Sequence, residues 1–164
     1  MQFSGQINSP SGIANVANPV YYSESITGLS VMQVGWLPCT VYPTVGVYVE
    51  RDGAELTLSN TQLSAGSVIN IPFSFSTLQA GDVATAQQTA PGQGCPFSPL
   101  VVTLTAQYTV TLSANLSSLA DVATLANPVY YTESITALSV TQAGWLPCTI
   151  YPTVGGLCAT ASFA

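Results

Sequence analysis

The chain has almost no positive charge: its 164 residues include one arginine, Arg51, and no lysine or histidine. Seven acidic residues give a net charge of −6. Nucleic-acid binding depends on basic side chains that neutralise phosphates, so this composition argues against a nucleic-acid partner. No histidine or lysine is available to activate a serine nucleophile or to complete a Cys/His zinc site. We therefore expect a protein that is not an enzyme and that holds no metal or cofactor.

Long apolar runs are also missing, although 48% of the residues are hydrophobic. Ser, Thr, Gln and Pro interrupt each apolar stretch well before the roughly 20 residues that a spanning helix needs. The sequence therefore predicts no membrane insertion. A surface made polar by Ser, Thr, Asn and Gln suits a protein that buries surface against copies of itself, or one from an acid environment.

Strict alternation of apolar and polar residues is the main pattern that the chain does have. It is clearest from Val102 to Leu116, which predicts a long strand with one buried face. Valines at alternate positions precede the Asp52-Gly53 pair and leucines at alternate positions follow it, which predicts a β-hairpin. Together these patterns predict an all-β fold, an Ig-like or related β-sandwich.

Three other segments are less regular. Residues 69–76 alternate, but Pro72 removes a ladder donor, so this strand is expected to be interrupted or at a sheet edge. Residues 85–99 are rich in Gly, Gln and Pro and are predicted to form a loop held by Cys95. Residues 13–16 leave room for a short helical turn.

One 30-residue segment occurs twice, as residues 17–46 and residues 126–155, with five differences and a constant offset of 109. The pattern predicts an N-terminal segment, 1–46, that duplicates the C-terminal third of a main β-domain, 47–164. The second copy, extended backward, covers 110–155. The sandwich is then either pseudo-symmetric by itself or completed by a strand from a neighbouring subunit.

The first strand extends this correspondence. At the same offset, three residues of the N-terminus align with apolar or small residues of the second copy: Phe3, Gly5 and Ile7 with Leu112, Ala114 and Leu116. We predict that the segment from Gln2 to Ile7, with Gln2, Phe3, Gly5 and Ile7 as its contact residues, is the strand that passes between subunits.

Four cysteines, Cys39, Cys95, Cys148 and Cys158, form an even set without a metal-binding spacing. Disulfides in an oxidising, extracellular compartment are the favoured interpretation, and buried thiols are the alternative. Because Cys39 and Cys148 are repeat equivalents, the pairing Cys39–Cys95 with Cys148–Cys158 is attractive, although spacing alone allows three connectivities.

The repeat also places a glutamate, Glu24 or Glu133, in each copy. Acid/base catalysis can use two pseudo-symmetric carboxylates of this kind, but no basic residue accompanies them. We expect them to be hydrogen-bonded surface glutamates, with an acid hydrolase as the weakest alternative.

Aromatic residues recur in the repeat, and four of them are candidates for contacts between subunits: Trp36, Trp145, Tyr21 and Tyr130. Such residues anchor cores and interfaces, and the alternative is a sugar-binding platform. Asn115 begins a single N-glycosylation sequon.

The lack of charge, the Ser/Thr-rich alternating strands and the apolar first strand (Phe3, Gly5, Ile7) give the chain a resemblance to a known class of protein. It resembles secreted pilin-type subunits that assemble by donor-strand exchange, especially the thread-like filaments of thermophilic or acidophilic archaea. The resemblance implies a sandwich completed by a strand of the next subunit in a durable fibre at the cell surface.

The expected function is therefore a structural, self-assembling subunit of an extracellular filament or pilus, whose partners are copies of itself. Neighbouring filaments or surface glycans are further candidate partners. The alternatives are a viral coat or decoration protein and a carbohydrate-binding adhesive domain.

Overall fold

The computed structural model describes residues 1–17, 19–35, 38–109, 114–116, 137 and 139. The regular structure of these residues is entirely β, without a helix. The strands are β1 Gln2–Ile7, β2 Ile13–Ala17, β3 Glu24–Gln33, β4 Thr44–Arg51, β5 Ala54–Gln62, β6 Val68–Asn70, β7 Thr77–Leu78, β8 Val83–Ala90 and β9 Leu100–Gln107. The chain divides into two compact units, Met1–Tyr130 and Tyr131–Ala164, and all of these strands belong to the first.

The strands form two antiparallel sheets that pack face to face, as the alternation predicted. The first has the order β1-β9-β3-β6, with β7 also paired to β3, and the second has the order β2-β8-β4-β5. Because β9 occupies one edge of β3 along its length, β6 and β7 share the other edge and act as one interrupted strand. Counted in this way, the strand order is that of a jelly roll, a β-sandwich built from two Greek keys.

The core lies between the sheets and consists of the inward-facing half of each alternating run. Val45, Val47 and Val49 of β4 are completely buried, as are Val102 and Leu104 of β9. Burying an aliphatic side chain of this size contributes about 1.5–3 kcal/mol. The polar residues between them face outward, so the pleat of each strand places the apolar side chains in the core.

The hairpin predicted at Asp52-Gly53 is confirmed. Arg51 pairs with Ala54 across a two-residue turn that joins β4 to β5. Both turn residues have positive φ, 52° at Asp52 and 77° at Gly53. This is the backbone that a type I′ turn requires and that glycine and aspartate adopt most easily.

The edge position predicted from Pro72 is also confirmed. β6 ends at Asn70, the segment that contains Pro72 is not a strand, and β7 resumes the pairing with β3 at Thr77.

The predicted long strand from Val102 to Leu116 is too long. β9 ends at Gln107, which pairs with Ser25 close to the beginning of β3. Beyond this residue β9 has no partner strand in the described part, so its ladder ends. Leu116, expected on the buried face, is 51% exposed.

Two other predictions from local sequence are wrong. Residues 13–16, expected to turn helically, belong to β2, which pairs with β8. The predicted loop 85–99 begins later, because β8 continues to Ala90. The inward-facing residues of β8 include Ala84 and Ala86, which are buried but too small to produce a clear apolar alternation.

Residues 1–46 supply β1, β2, β3 and the beginning of β4. Each of the first three strands pairs with a strand from the second half of the sandwich: β1 with β9, β2 with β8, and β3 with β6, β7 and β9. The boundary predicted after residue 46 falls within β4. The second copy, 110–155, lies almost wholly outside the described residues.

Candidate assembly interface

The predicted inter-subunit segment is β1, which lies at the edge of its sheet within its own chain. β1 pairs with β9 from Gln2, opposite Thr105, to Ile7, opposite Leu100. The Met1 amino group extends this ladder by donating to the Ala106 carbonyl oxygen at 2.8 Å. No strand of the described part pairs with the other edge of β1. Exchange between subunits therefore stays a prediction, and it requires β1 to leave this position.

The side chains of β1 bury only a moderate amount of apolar surface in the core. Ile7 is fully buried, whereas Phe3 packs against the core while partly exposed. Gln2 is exposed and faces solvent. A strand that buries one complete apolar side chain has less to lose on release than a central strand such as β9.

Gly5 marks a close approach between β1 and β2, which lie in different sheets on the same side of the sandwich. A Cβ atom at Gly5 would lie 2.9 Å from the Asn15 carbonyl carbon and 3.1 Å from the Ala14 Cβ. Such distances are too short for any larger residue without movement of the backbone. Glycine is therefore required for the two edge strands to pack this closely.

The opposite side of the sandwich is covered by its own chain. The segment between β6 and β7 runs beside β5, where the Ser74 backbone N–H donates to the Leu58 carbonyl oxygen at 2.8 Å. The single proton of the Ser74 hydroxyl is shared between two carbonyl oxygens, those of Leu58 at 2.9 Å and Thr57 at 2.5 Å. These contacts occupy the outer edge of β5, which is a common way to protect an edge strand. Among the residues that the structure describes, the β1/β2 side is thus the open side.

The Cys39–Cys95 disulfide that the repeat suggested is confirmed, with the two Cα atoms 4.9 Å apart. It joins the loop after β3 to the loop before β9. Backbone hydrogen bonds reinforce this join: the Thr40 N–H donates to the Gln93 carbonyl at 2.8 Å, and the Gln93 N–H donates to the Val41 carbonyl at 2.8 Å. Cys148 and Cys158 lie outside the described residues.

The only cation of the chain is used inside the fold. The Arg51 guanidinium donates to both carboxylate oxygens of Asp82, at 3.0 and 2.7 Å, and to the Thr77 carbonyl oxygen at 3.1 Å. The hydrogen bond to Asp82 raises the pKa of Arg51, against the opposing effect of burial. Arg51 is therefore committed to holding β4, β7 and the start of β8 together, and is not presented to an anionic ligand.

Glu24 occupies an unexpected position. It was predicted to be a surface residue, but it is 1% exposed, on the inward face at the beginning of β3. The period-2 pattern explains why, because Glu24 has the same phase as Ile26 across the start of the strand. Glu133 lies outside the described residues. In the part of the chain that the structure describes, no group of three His, Cys, Asp or Glu side chains is placed to hold a metal ion.

The other candidate residues are placed only in part. Tyr21 is exposed, and Trp36, Trp145 and Tyr130 lie outside the described residues. Asn115 is exposed, so its side chain is accessible to glycosylation.

An apolar patch on the outer face of the first sheet was not predicted. Met32 of β3 and Val68 of β6 face each other there, and Val34 and Phe97 are also exposed. The sequence did contain a signal that Met32 and Val34 are exposed. They are two of the five positions at which the repeat copies differ.

Comparison of the chain with protein-family models, curated proteins and solved structures finds no match. The described residues contain no helix long and apolar enough to cross a membrane.

Proposed function

We propose that the protein is a structural subunit of an extracellular filament, in which copies of the chain are joined by β-strand complementation. The observation that carries this proposal is the position of β1. It is the first strand of the chain, lies at a sheet edge on the open side, and fully buries one side chain, Ile7.

Exchange of β1 between copies preserves its contacts. When β1 leaves β9, the backbone groups from Leu100 to Thr105 lose their partners and the space filled by Ile7 opens. The same strand of a neighbouring subunit restores these interactions with identical atoms. An exchange of this kind changes the free energy little within each sheet, so additional contacts between subunits determine whether a polymer forms.

An extracellular location agrees with the covalent structure. A disulfide such as Cys39–Cys95 persists in oxidising compartments and is rare in the cytosol. The low charge of the surface also favours close packing of copies, because few charged groups must be desolvated.

A viral coat or decoration protein is the second candidate, and the strand order supports it. Jelly rolls are common in viral capsid proteins and in lectins, although a fold alone does not determine a function. Electron microscopy of the purified protein separates the two candidates: threads support the filament, whereas closed shells or binding to a capsid support the second candidate.

The role of β1 is tested by Ile7→Asp, with Gln6→Asp as the matched control on the exposed face of the same strand. We expect Ile7→Asp to abolish filaments while the circular dichroism spectrum of the remaining sandwich is retained, and Gln6→Asp to assemble normally. Deletion of residues 1–8 should have the same effect as Ile7→Asp. Normal filaments from the deletion variant would rule out β1 as the exchanged strand.

A further inference from the structure

The structure shows where the two repeat copies differ. Residues 126–155 repeat 17–46 with five substitutions. In the first copy these positions are Ser23, Gly28, Met32, Val34 and Val41, and none of them is buried. The second copy therefore keeps the inward face of β3 and of the segments beside it.

The buried residues of the first copy are all identical in the second. The pairs are Ala17/Ala126, Val20/Val129, Glu24/Glu133, Ile26/Ile135, Leu29/Leu138, Val31/Val140, Gln33/Gln142, Pro43/Pro152, Val45/Val154 and Gly46/Gly155.

Gln33 is the most informative of these residues, because it is buried and polar. Its side-chain amide donates to the Gly66 carbonyl oxygen at 2.9 Å and to the Ser64 carbonyl oxygen at 3.4 Å, so its place in the core depends on these two acceptors. An apolar strand pattern alone would not demand glutamine at this position, and a buried amide without a partner is costly. The identical Gln142 indicates that the second copy is suited to the same two acceptors.

We propose that residues 133–148 of one chain take the place of residues 24–39 in the sandwich of a second copy of the chain. There they would lie between β9 and the β6/β7 edge, with Cys148 opposite Cys95. This inference deepens the strand complementation proposed above and rests on it, and it names a second donor segment.

We choose a second copy of the chain as the partner because the numbers of strands and positions differ. Each sandwich has one position for this strand, whereas each chain carries two segments that fit it. In the described structure the place is filled by the chain's own β3. Leu116 aligns with the fully buried Ile7 but is 51% exposed, so this residue does not occupy an equivalent core position. A sandwich of another chain offers β9 and the β6/β7 edge as partners once its own residues 24–39 leave that position.

Thiol–disulfide exchange can accompany the exchange of the strand. In a chain whose Cys148 has not paired with Cys158, the Cys148 thiolate attacks the Cys95 sulfur of the second copy, the Cys39–Cys95 bond breaks, and the Cys95–Cys148 bond forms. Cys39 leaves as a thiolate and takes up a proton. One disulfide replaces another, so the step needs no external oxidant.

The decisive experiment mixes equal amounts of unlabelled and nitrogen-15-labelled full-length chains, which are reduced, unfolded and refolded together in a glutathione buffer. Proteolysis without reduction, followed by mass spectrometry, identifies the disulfide-linked peptides. We expect Cys95–Cys148 peptides that combine labelled and unlabelled halves, beside the Cys39–Cys95 peptide. Absence of Cys95–Cys148, or its presence only within chains of one label, would overturn the proposal.

A pair of variants tests the strand itself. Leu138→Asp places a charge at the equivalent of buried Leu29, and Thr141→Asp places one at the equivalent of exposed Met32. Both lie outside the first copy, so the sandwich of residues 1–107 retains its own sequence. We expect Leu138→Asp to reduce the Cys95–Cys148 peptide at least about tenfold and Thr141→Asp to leave it unchanged. Equal effects of the two variants would contradict insertion of the strand into a core.

The outcomes separate this inference from the filament proposal. Filaments that contain only Cys39–Cys95 would overturn the exchange of residues 133–148 and leave the role of β1 intact. Discrete oligomers linked through Cys95–Cys148, without filaments, would support the exchange and overturn the filament.

Discussion

Arg51 connects parts of the sandwich that are distant in sequence. It ends β4, while its guanidinium binds Asp82 just before β8 and the Thr77 carbonyl of β7 in the other sheet. Asp82 is 1% exposed and also accepts a hydrogen bond from the Gln79 backbone N–H at 2.8 Å. The Arg51 guanidinium therefore fixes the turn before β8 through Asp82 and links the two sheets through the Thr77 carbonyl.

Replacing Arg51 with Met should lower the free energy of unfolding by about 2–3 kcal/mol, because the buried Asp82 carboxylate loses its charged partner. Chemical denaturation measures this change. The matched control is Glu50→Gln on the same strand, whose exposed side chain should matter by less than about 0.5 kcal/mol. A loss for Arg51→Met as small as that of the control would show that the pair is not important for stability.

The pH range of this contribution follows from the raised pKa of Arg51, whose main cause is the hydrogen bond to Asp82. A cationic group whose pKa is higher in the folded state contributes its full stabilisation of the fold at pH values below its unfolded pKa. This contribution is lost as the pH rises through the folded pKa. Arg51 titrates only in strongly alkaline solution. Its contribution should therefore be constant from neutral to mildly alkaline pH, and the difference between wild type and Arg51→Met should not change across this range.

Among the elements, β1 and β5 show two ways of treating a sheet edge. Ser74 covers the outer edge of β5 through its backbone N–H and its hydroxyl, whereas the outer edge of β1 is uncovered within the described residues. Uncovered edges invite pairing with other chains. Strands of other chains can therefore pair with the sandwich at the β1 edge and not at the covered edge of β5.

Gly5→Val should loosen β1 selectively, since its Cβ would collide with the Asn15 backbone of β2. We expect a loss of about 1–3 kcal/mol, as for other overpacked sites. Hydrogen exchange should show lost protection from Gln2 to Ile7 and retained protection in β4. Ser4→Thr, on the exposed face, is the control. Uniform loss of protection in all strands would mean that β1 is not a separate unit.

Local sequence predicted several of the elements whose inward residues are large. The valines of β4, the Asp52-Gly53 turn and β9 from Val102 onward carry their own signals. β2 and β8 were missed because alanine contributes half or more of the core positions along them, and their strand conformation depends on pairing with each other. The true end of β9 depends on where its antiparallel partners β1 and β3 begin, which no local pattern contains.

The candidate interface was predictable to a similar extent. β1 was identified by its apolar residues and its repeat partner, and the Cys39–Cys95 pairing by repeat equivalence. The burial of Glu24 and the cover provided by Ser74 were not predicted, because each arises from contacts between residues far apart in the chain.

At the scale of the whole molecule, the Cys39–Cys95 bond closes a loop between residues 56 apart in sequence. Replacing both cysteines with serine should lower the free energy of unfolding by about 2–5 kcal/mol, because the unfolded chain regains conformational freedom. Calorimetry of the variant, compared with wild type under reducing and oxidising conditions, measures the effect. If the variant were as stable as the oxidised wild type, the loops at this end would be held by their backbone hydrogen bonds alone.

The net charge of −6 acts on assembly as a whole. Copies repel one another at neutral pH, and the repulsion weakens as carboxylates are protonated toward pH values of about 4. We expect light scattering to show faster assembly in mild acid, and added salt to accelerate assembly at neutral pH by screening. Rates that do not respond to salt would indicate that charge repulsion does not limit association.

The contacts of the Arg51 side chain also affect digestion of the protein by proteases. Trypsin cleaves after lysine and arginine, and this chain offers it a single bond, between Arg51 and Asp52. That bond enters a two-residue turn, and the side chain that the enzyme must grasp is bound to Asp82 and Thr77. Cleavage would require the sheet around it to open first. A fibre built from this chain would therefore withstand trypsin-like enzymes for as long as its subunits remain folded.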